Sequence, residues 1–289
     1  MPLGTAHFTG ADLAVFTPEI WQPRINDFFK AKIAMRNFVL DLSDAVADGG
    51  DLIHIPNMTE MATNAKVNGS QVILQSPTET EVQLTVATWE EVSFLIEDRE
   101  RAQVLRSYTL QERYAMNAGY AVAKSLDNDL TGLYTGLSQF VGDFVSDITD
   151  AKVREALEKL DVANVPAEDR VFVFYPTQYW NLLGIDRFVA VTVGTGGGAI
   201  GPNGPIQSGV LGMLYGVPVI STTQIVVTAG TQAHNLLLQK EAFALAVQSE
   251  IRMQTSYIHE YLGELTTVDA LWGVVENRDA AAVEIRTIV

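Results

Sequence analysis

Between Thr109 and Tyr134 apolar positions fall at intervals of four: Tyr114, Ala118, Val122, Leu126 and Leu130, with Ala115, Gly119 and Leu133 beside them. This is the stripe of one amphipathic helix, and at 1.5 Å per residue it predicts an element about 39 Å long. Thr109 stands where an N-cap belongs, and Glu112, three residues on, would complete a capping box. Ala115, Ala118, Gly119, Ala121 and Ala123 keep one flank thin, so that sheet or loop backbone can approach closely. No ligand-type side chain lines the inward face, as a cofactor-holding bundle would require.

Upstream the pattern is different. Residues 1–23 scatter Phe8, Phe16 and Trp21 among Pro2, Gly4, Gly10, Pro18 and Pro23, which reads as an extended arm whose aromatics need another surface. Helical spacing follows from Arg24 to Leu40. From 46 to 98 the chain reads as strand: Asp51–Ile55 stopped by Pro56, a polar stretch from Glu60 to Gln71 with the hairpin signal Asn68-Gly69, then two alternating runs, Glu81–Val86 and Trp89–Ile96. Together they predict a long two-stranded excursion with too little core to be stable alone, one that lies on something else such as another subunit.

Downstream, Asp150 can cap a helix over 151–160, Arg170–Tyr175 is an apolar strand, and Pro176 opens a short helix to Leu183. A strand is expected at 188–193, then the flexible loop Gly194–Pro205, a short helix at 209–215, and a turn at Gly216 entering a strand that resumes at 225–228. Residues 235–247 fit a helix and paired strands equally; 251–255 alternate, and 283–289 form a terminal strand.

Composition narrows the function classes. A chain of 289 residues with 47% hydrophobic positions builds a folded core. It has no cysteine, which removes disulfides and thiolate metal sites. No signal segment or run of eighteen apolar residues is present, so membrane spanning and signal-peptide export are not expected. The net charge of −16 opposes a function of gripping a phosphate backbone, though not one of enclosing nucleic acid behind a wall.

Chemistry-bearing patterns fail one by one. Gly194-Thr195-Gly196-Gly197-Gly198-Ala199 follows an apolar strand, but Pro202 and Pro205 prevent the helix that would face a pyrophosphate. Of His7, His54, His234 and His259, none has the second histidine of a zinc hydrolase, and each reads as satisfied or solvated; no G-x-S-x-G elbow occurs. The acid pairs Glu90-Glu91, Asp127/Asp129 and Glu168-Asp169 read as solvated faces. No catalytic, cofactor-binding or metal-binding residue is assigned, and no cofactor is expected. Lys66 reads as a lysine that keeps the excursion's tip in water.

The order of these elements, with VFVFYPTQYWNLLGID at 171–186 and GVLGMLYGVPVISTTQI at 209–225, resembles the major capsid protein of tailed bacteriophages, the Hong Kong 97-like family. The resemblance implies an α+β fold with an N-terminal arm and short helix (1–49), an extended β-hairpin loop (50–98), a peripheral domain (99–184) with a spine helix at 109–134, an axial domain (185–250) and return strands of the peripheral domain (251–289). It implies a structural protein, not an enzyme, that self-assembles into pentamers and hexamers of an icosahedral head. That head would enclose double-stranded DNA without sequence-specific binding. Its partners would be a separate scaffolding protein, a portal protein and a decoration protein, with no membrane, and its place the virion, after assembly in the host cytoplasm. Candidate intersubunit contacts are Phe8, Phe16, Trp21, Lys66, Asn68 and Trp89. Alternative readings are an encapsulin-like nanocompartment shell and a soluble α/β enzyme.

Overall fold

A computed structural model describes residues 35–47, 49–58, 61–76, 79–103, 107–185 and 212–289, with 101–103 and 107–112 described by backbone alone. The arm with Phe8, Phe16 and Trp21, the strand expected at 188–193 and the loop 194–205 lie outside these residues. Most of the helical stretch expected at 24–40 does too; its described end is a 3-10 turn, Met35–Phe38, followed by strand β1, Leu40–Asp41. After a single turn of helix, α1 (Ser43–Val46), come strands β2 (Leu52–Met58), β3 (Glu79–Thr85) and β4 (Thr88–Glu97), then helix α2 (Asp98–Gln103).

The long helix, α3, runs Ser107–Gly132 and tightens into a 3-10 turn at Leu133–Gly136. It has already begun before Thr109, so that residue sits inside the helix and does not cap it. Its buried stripe, Ala118, Val122 and Leu130, packs on a four-stranded sheet ordered β1-β11-β12-β4, where β11 is Phe243–Ile258 and β12 is Gly263–Glu276. Tyr114 belongs to the same spacing but is 49% exposed, its ring against Phe94 of β4 at 5.8 Å. The acids of this helix are not solvated as their spacing suggested: Asp127 is fully buried, and Asp129 accepts a bond from the indole Nε1 of buried Trp272 at 2.9 Å.

A seven-stranded sheet takes the order β5-β13-β10-β6-β8-β7, with β9 also pairing β10. Its members are β5 (Phe140–Gly142), β6 (Arg170–Phe174), β7 (Met213–Leu214), β8 (Val217–Ser221), β9 (Val227–Thr228), β10 (Gln232–Gln239) and β13 (Ala282–Ile288). Val171, Val173, Leu236 and Leu238 face the core shared with α3, whereas Phe172, Phe174 and Leu237 face helices α4 (Asp150–Val162) and α5 (Pro176–Leu183). Burial on both faces makes these strands continuous apolar runs. That removes the alternation that would have marked 235–247 as strand. A turn at Lys240–Glu241 divides that stretch between β10 and β11, which belong to different sheets. Helix α4 is capped by Thr149, not Asp150, its hydroxyl accepting from the Lys152 amide. Residues 213–214, expected as helix, form instead a hairpin with β8, because Tyr215 and Gly216 (φ 52° and 82°) supply the left-handed two-residue turn that antiparallel strands favour.

Among the described strands, β2 and β3 pair only with each other, as a ribbon registered from Leu52↔Thr85 to Met58↔Glu79. Pro56 does not stop β2, since a ribbon strand has an outer edge where a missing N–H costs no ladder bond. The ribbon's root, Ile53, Ile55, Leu84 and Val86, packs on Ala244, Ala246, Leu271 and Val275. The third run of the expected excursion, β4, leaves the ribbon and pairs along β12. The seven-stranded sheet draws on segments 99–184, 185–250 and 251–289 alike.

Gly273 of β12 lies where the ribbon's root crosses the sheet: a Cβ there would stand 2.2 Å from the Thr85 carbonyl oxygen and 2.9 Å from the Val86 Cα. Both obstacles are backbone and cannot swing aside. Gly273→Ala is expected to cost at least about 1–3 kcal/mol, read as a lower urea midpoint; an unchanged midpoint would mean that the root is free to shift.

Candidate assembly surfaces

The described residues contain no group of three His, Asp or Glu side chains placed to hold a metal ion, and no helix among them is long and apolar enough to cross a membrane. His234 is buried, with Nδ1 2.5 Å from Glu284 Oε1 and Nε2 2.8 Å from Thr228 Oγ1. His54 sits 3.0 Å from Glu81 across the ribbon, and the His259 ring lies edge-on to Tyr257. His7 lies outside the described residues. The features left to interpret are surfaces that expose apolar side chains.

One is the ribbon and its tip. Beyond Met58 and Glu79 the described tip, 61–76, has no strand ladder; Gln75 bridges its limbs by bonding both the N–H and the carbonyl of Ala62. At the far end Ser70 N donates to Val67 O at 3.2 Å, with Gly69 at φ 81°, closing the turn that Asn68-Gly69 announced. The Lys66 ammonium folds back onto this turn, donating to the Ser70 and Val67 carbonyls, so it is a clasp of the tip as well as an exposed charge. Asn68 is exposed at the turn. What the sequence reading missed is the apolar triplet that follows, Val72, Ile73 and Leu74, with Leu74 89% exposed. Three apolar residues in a row carry neither the period of a helix nor that of a half-buried strand, so they gave no periodic signal.

On the four-stranded sheet, Trp89 is 70% exposed although its indole Nε1 donates to Asp269 Oδ2 at 3.0 Å. Asp269 is directly opposite both Arg252 and Glu91 in register, and Arg252 grips it twice, Nε to Oδ1 at 2.9 Å and Nη2 to Oδ2 at 2.8 Å. These bonds from Arg252, and then from Trp89, hold the Asp269 carboxyl below the usual carboxylate range against the opposing pull of burial. Two hairpin ends expose further apolar groups: Tyr261 and Leu262 between β11 and β12, and Met213 and Tyr215 at β7. Lys66, Asn68 and Trp89 thus all lie at the surface, the first two together at the tip and Trp89 on the sheet, while Phe8, Phe16 and Trp21 fall outside the described residues.

No protein-family model and no sequence among characterised proteins matches the chain. Solved structures do. The chain is similar to one from Mycobacterium phage Che8 at 21% identity, with a TM-score of 0.79 over 93% of this chain and 97% of that one. It is similar to the capsid of cyanophage P-SCSP1u at 15% identity and a TM-score of 0.76, over 99% and 96%. For the mature capsid of bacteriophage PhiM1 the values are 14% and 0.76, over 99% and 97%. Each likeness runs nearly end to end in both chains, and the mixed α and β fold, with its several sheets and few helices, is that of phage capsid structures.

A carboxyl whose folded pKa is depressed stabilises the fold above its unfolded pKa, and that contribution is lost as pH falls through the folded value. Asp269→Asn is therefore expected to lower the urea midpoint at pH 7, the gap to the parent closing as pH falls below the ordinary aspartate range near about 3.9. A gap that stays constant with pH would show that the Asp269 charge contributes nothing.

Proposed function

We propose that the chain is a phage shell subunit, a major capsid protein of Hong Kong 97-like architecture. The observation that carries this reading is the end-to-end likeness to the capsids of P-SCSP1u and PhiM1. A single chain whose ribbon has no core of its own beyond the root, and whose tip exposes Val72, Ile73 and Leu74, supports it. Such elements become stable when a neighbouring copy covers them.

In this reading copies assemble into pentamers and hexamers that close around double-stranded DNA in the virion, after assembly in the host cytoplasm with scaffolding, portal and decoration proteins. The four-stranded sheet with α3 as spine is the peripheral domain, and the seven-stranded sheet with α4 and α5 is the axial domain. This division follows the sheets rather than the boundaries at 185 and 251. The extended loop is the ribbon with its tip, and Phe8, Phe16, Trp21, Lys66, Asn68 and Trp89 are contacts between subunits. A net charge of −16 suits a container: like charge keeps packaged DNA off the wall, so retention is by enclosure rather than by adhesion.

Light scattering with electron microscopy on the purified chain, alone and with a candidate scaffolding protein, tests this. Shells, tubes, or rings of five or six copies are expected, and a 31.6 kDa monomer under both conditions would overturn the reading. Replacing residues 61–76 by a short Gly-Ser turn is expected to abolish closed particles while leaving far-UV circular dichroism and the urea midpoint within experimental error. Particles formed normally by that variant would remove the tip from the interface.

A further inference from the structure

The longest of the described strands changes character halfway. In β11, residues 243–247 are buried and 250–257 are exposed, and the change coincides with a break in its ladder. Val247 pairs Trp272, Ser249 pairs Leu271 and Arg252 pairs Asp269. Each step advances β11 one residue further than β12, so two extra residues are inserted within a span of six. Bulges bend a strand and interrupt its bonding, and two in succession make a local weak point in an otherwise continuous sheet.

The packing under this point is incomplete. A cavity of about 70 Å³ lies between α3 and the bulges, lined by Val122, Ala123, Leu126, Val247, Ile251, Ala270 and Trp272 and edged by Arg36 and Glu250. Its walls are almost wholly apolar, so atoms on its lining lack neighbours and movement into it meets little resistance. Gly119 adds room on the helix side: where its Cβ would stand, the nearest atom is the Ile251 Cγ2 at 3.8 Å. Across the mouth, Arg36 of the 3-10 turn forks onto Glu250 in the bulged segment, with bonds of 2.6 and 3.0 Å, and lies 3.7 Å from Asp41 of β1. This is a bidentate tie between the start of the described chain and the weak point of the sheet.

We propose that the bulges at 247–252 are a hinge, that the cavity is the space into which the hinge flexes, and that Arg36–Glu250 is the latch that holds one angle. The moving part is the distal half of the sheet: 252–258 of β11, 263–269 of β12 and 91–97 of β4, with the hairpin end that carries Tyr261 and Leu262. The fixed part is 243–247 and 272–276. Both ends of the latch are partly exposed, at 38% for Arg36 and 64% for Glu250, so it is a weak tie that biases the hinge without locking it. Arg36 also keeps the Glu250 carboxyl below the usual range, so the tie is charged throughout neutral pH. The use of such a device, though not its existence, rests on the shell reading. A closed shell sets identical chains in pentamers and hexamers, where a hinged distal half would let one fold meet its neighbours at more than one angle.

Amide hydrogen exchange on the full chain, resolved to these two halves, tests the hinge and needs no assembled particle. In Glu250→Gln, distal amides are expected to exchange about two- to fivefold faster, the span of a tie of this strength, with 243–247 and 272–276 unchanged. Ala123→Val, which fills the cavity, is expected to slow the same distal amides. Unchanged distal exchange in Glu250→Gln, or acceleration of both halves together, would overturn the proposal, as would a response to Ala123→Val shared equally by both halves. Particle formation is read separately, so failure of the hinge leaves the shell reading standing and failure to assemble leaves the hinge intact.

Discussion

An indole N–H that is shut away from water has to find an acceptor, and for Trp272 the acceptor is a carboxylate oxygen of Asp129 at 2.9 Å. The ring is fully buried in the core between α3 and the four-stranded sheet, so this bond fixes the rotation of the helix against β12 as well as the distance between them. It is an expensive arrangement electrostatically. Burial pushes the Asp129 carboxyl up, the Trp272 bond pulls it down, and nearby Glu90 adds like charge that pushes it up again. Around this joint β12 carries the rest: β11 and β4 are its ladder partners, and Gly273, one residue on, lets the ribbon's root cross at backbone contact.

The second sheet is tied to the same C-terminal end of the helix, just beyond Asp129. The ring of Tyr134, in the 3-10 turn that closes α3, stacks on His234 of β10 with centroids 4.0 Å apart. His234 bonds Glu284 of β13, and Arg286 donates to that carboxylate at 3.0 Å, its guanidinium lying 3.8 Å over the Phe140 ring. A buried glutamate is tolerable there because histidine and arginine both face it. The two sheets thus meet α3 through side chains that local pattern placed elsewhere: Asp129 read as a solvated acid, and His234 as a satisfied or solvated histidine.

What the sequence made legible is what local physics determines. The four-residue apolar interval marked α3, Pro176 marked the start of α5 to the residue, and Asn68-Gly69 and Gly216 marked turns whose backbone is left-handed. Non-local circumstances hid the remainder. Residues 235–247 were ambiguous because β10 is covered on both faces, Asp127 and Asp129 passed for surface acids because their burial depends on distant strands, and Pro56 ended a strand that continues because no third strand needs its N–H. The candidate contacts were read with the same bias. Trp89 stood out as a tryptophan, but its place over Asp269 and Arg252 comes from a register among three strands that no local pattern encodes. Val72, Ile73 and Leu74 went unremarked because they have no period at all.

The exposed apolar points and the acidic surface belong to one argument. With 35 acidic against 19 basic residues, two copies repel at any separation that salt leaves unscreened, roughly 8 Å at physiological ionic strength. In the proposed assembly, attraction between copies must therefore come from contact-range burial of apolar area, and the chain exposes such groups at the ribbon's tip, at the ends of the β11–β12 and β7–β8 hairpins, and at Val145, Val162 and Trp180. Charge and apolar groups are interspersed: α4 carries the ion pairs Arg154–Asp150 and Lys159–Glu155 and also exposes Val162. A surface so mixed and so acidic opposes loose aggregation and favours geometries in which several apolar points engage together. Under the shell reading, selection of that kind is what a closed assembly requires of its subunit.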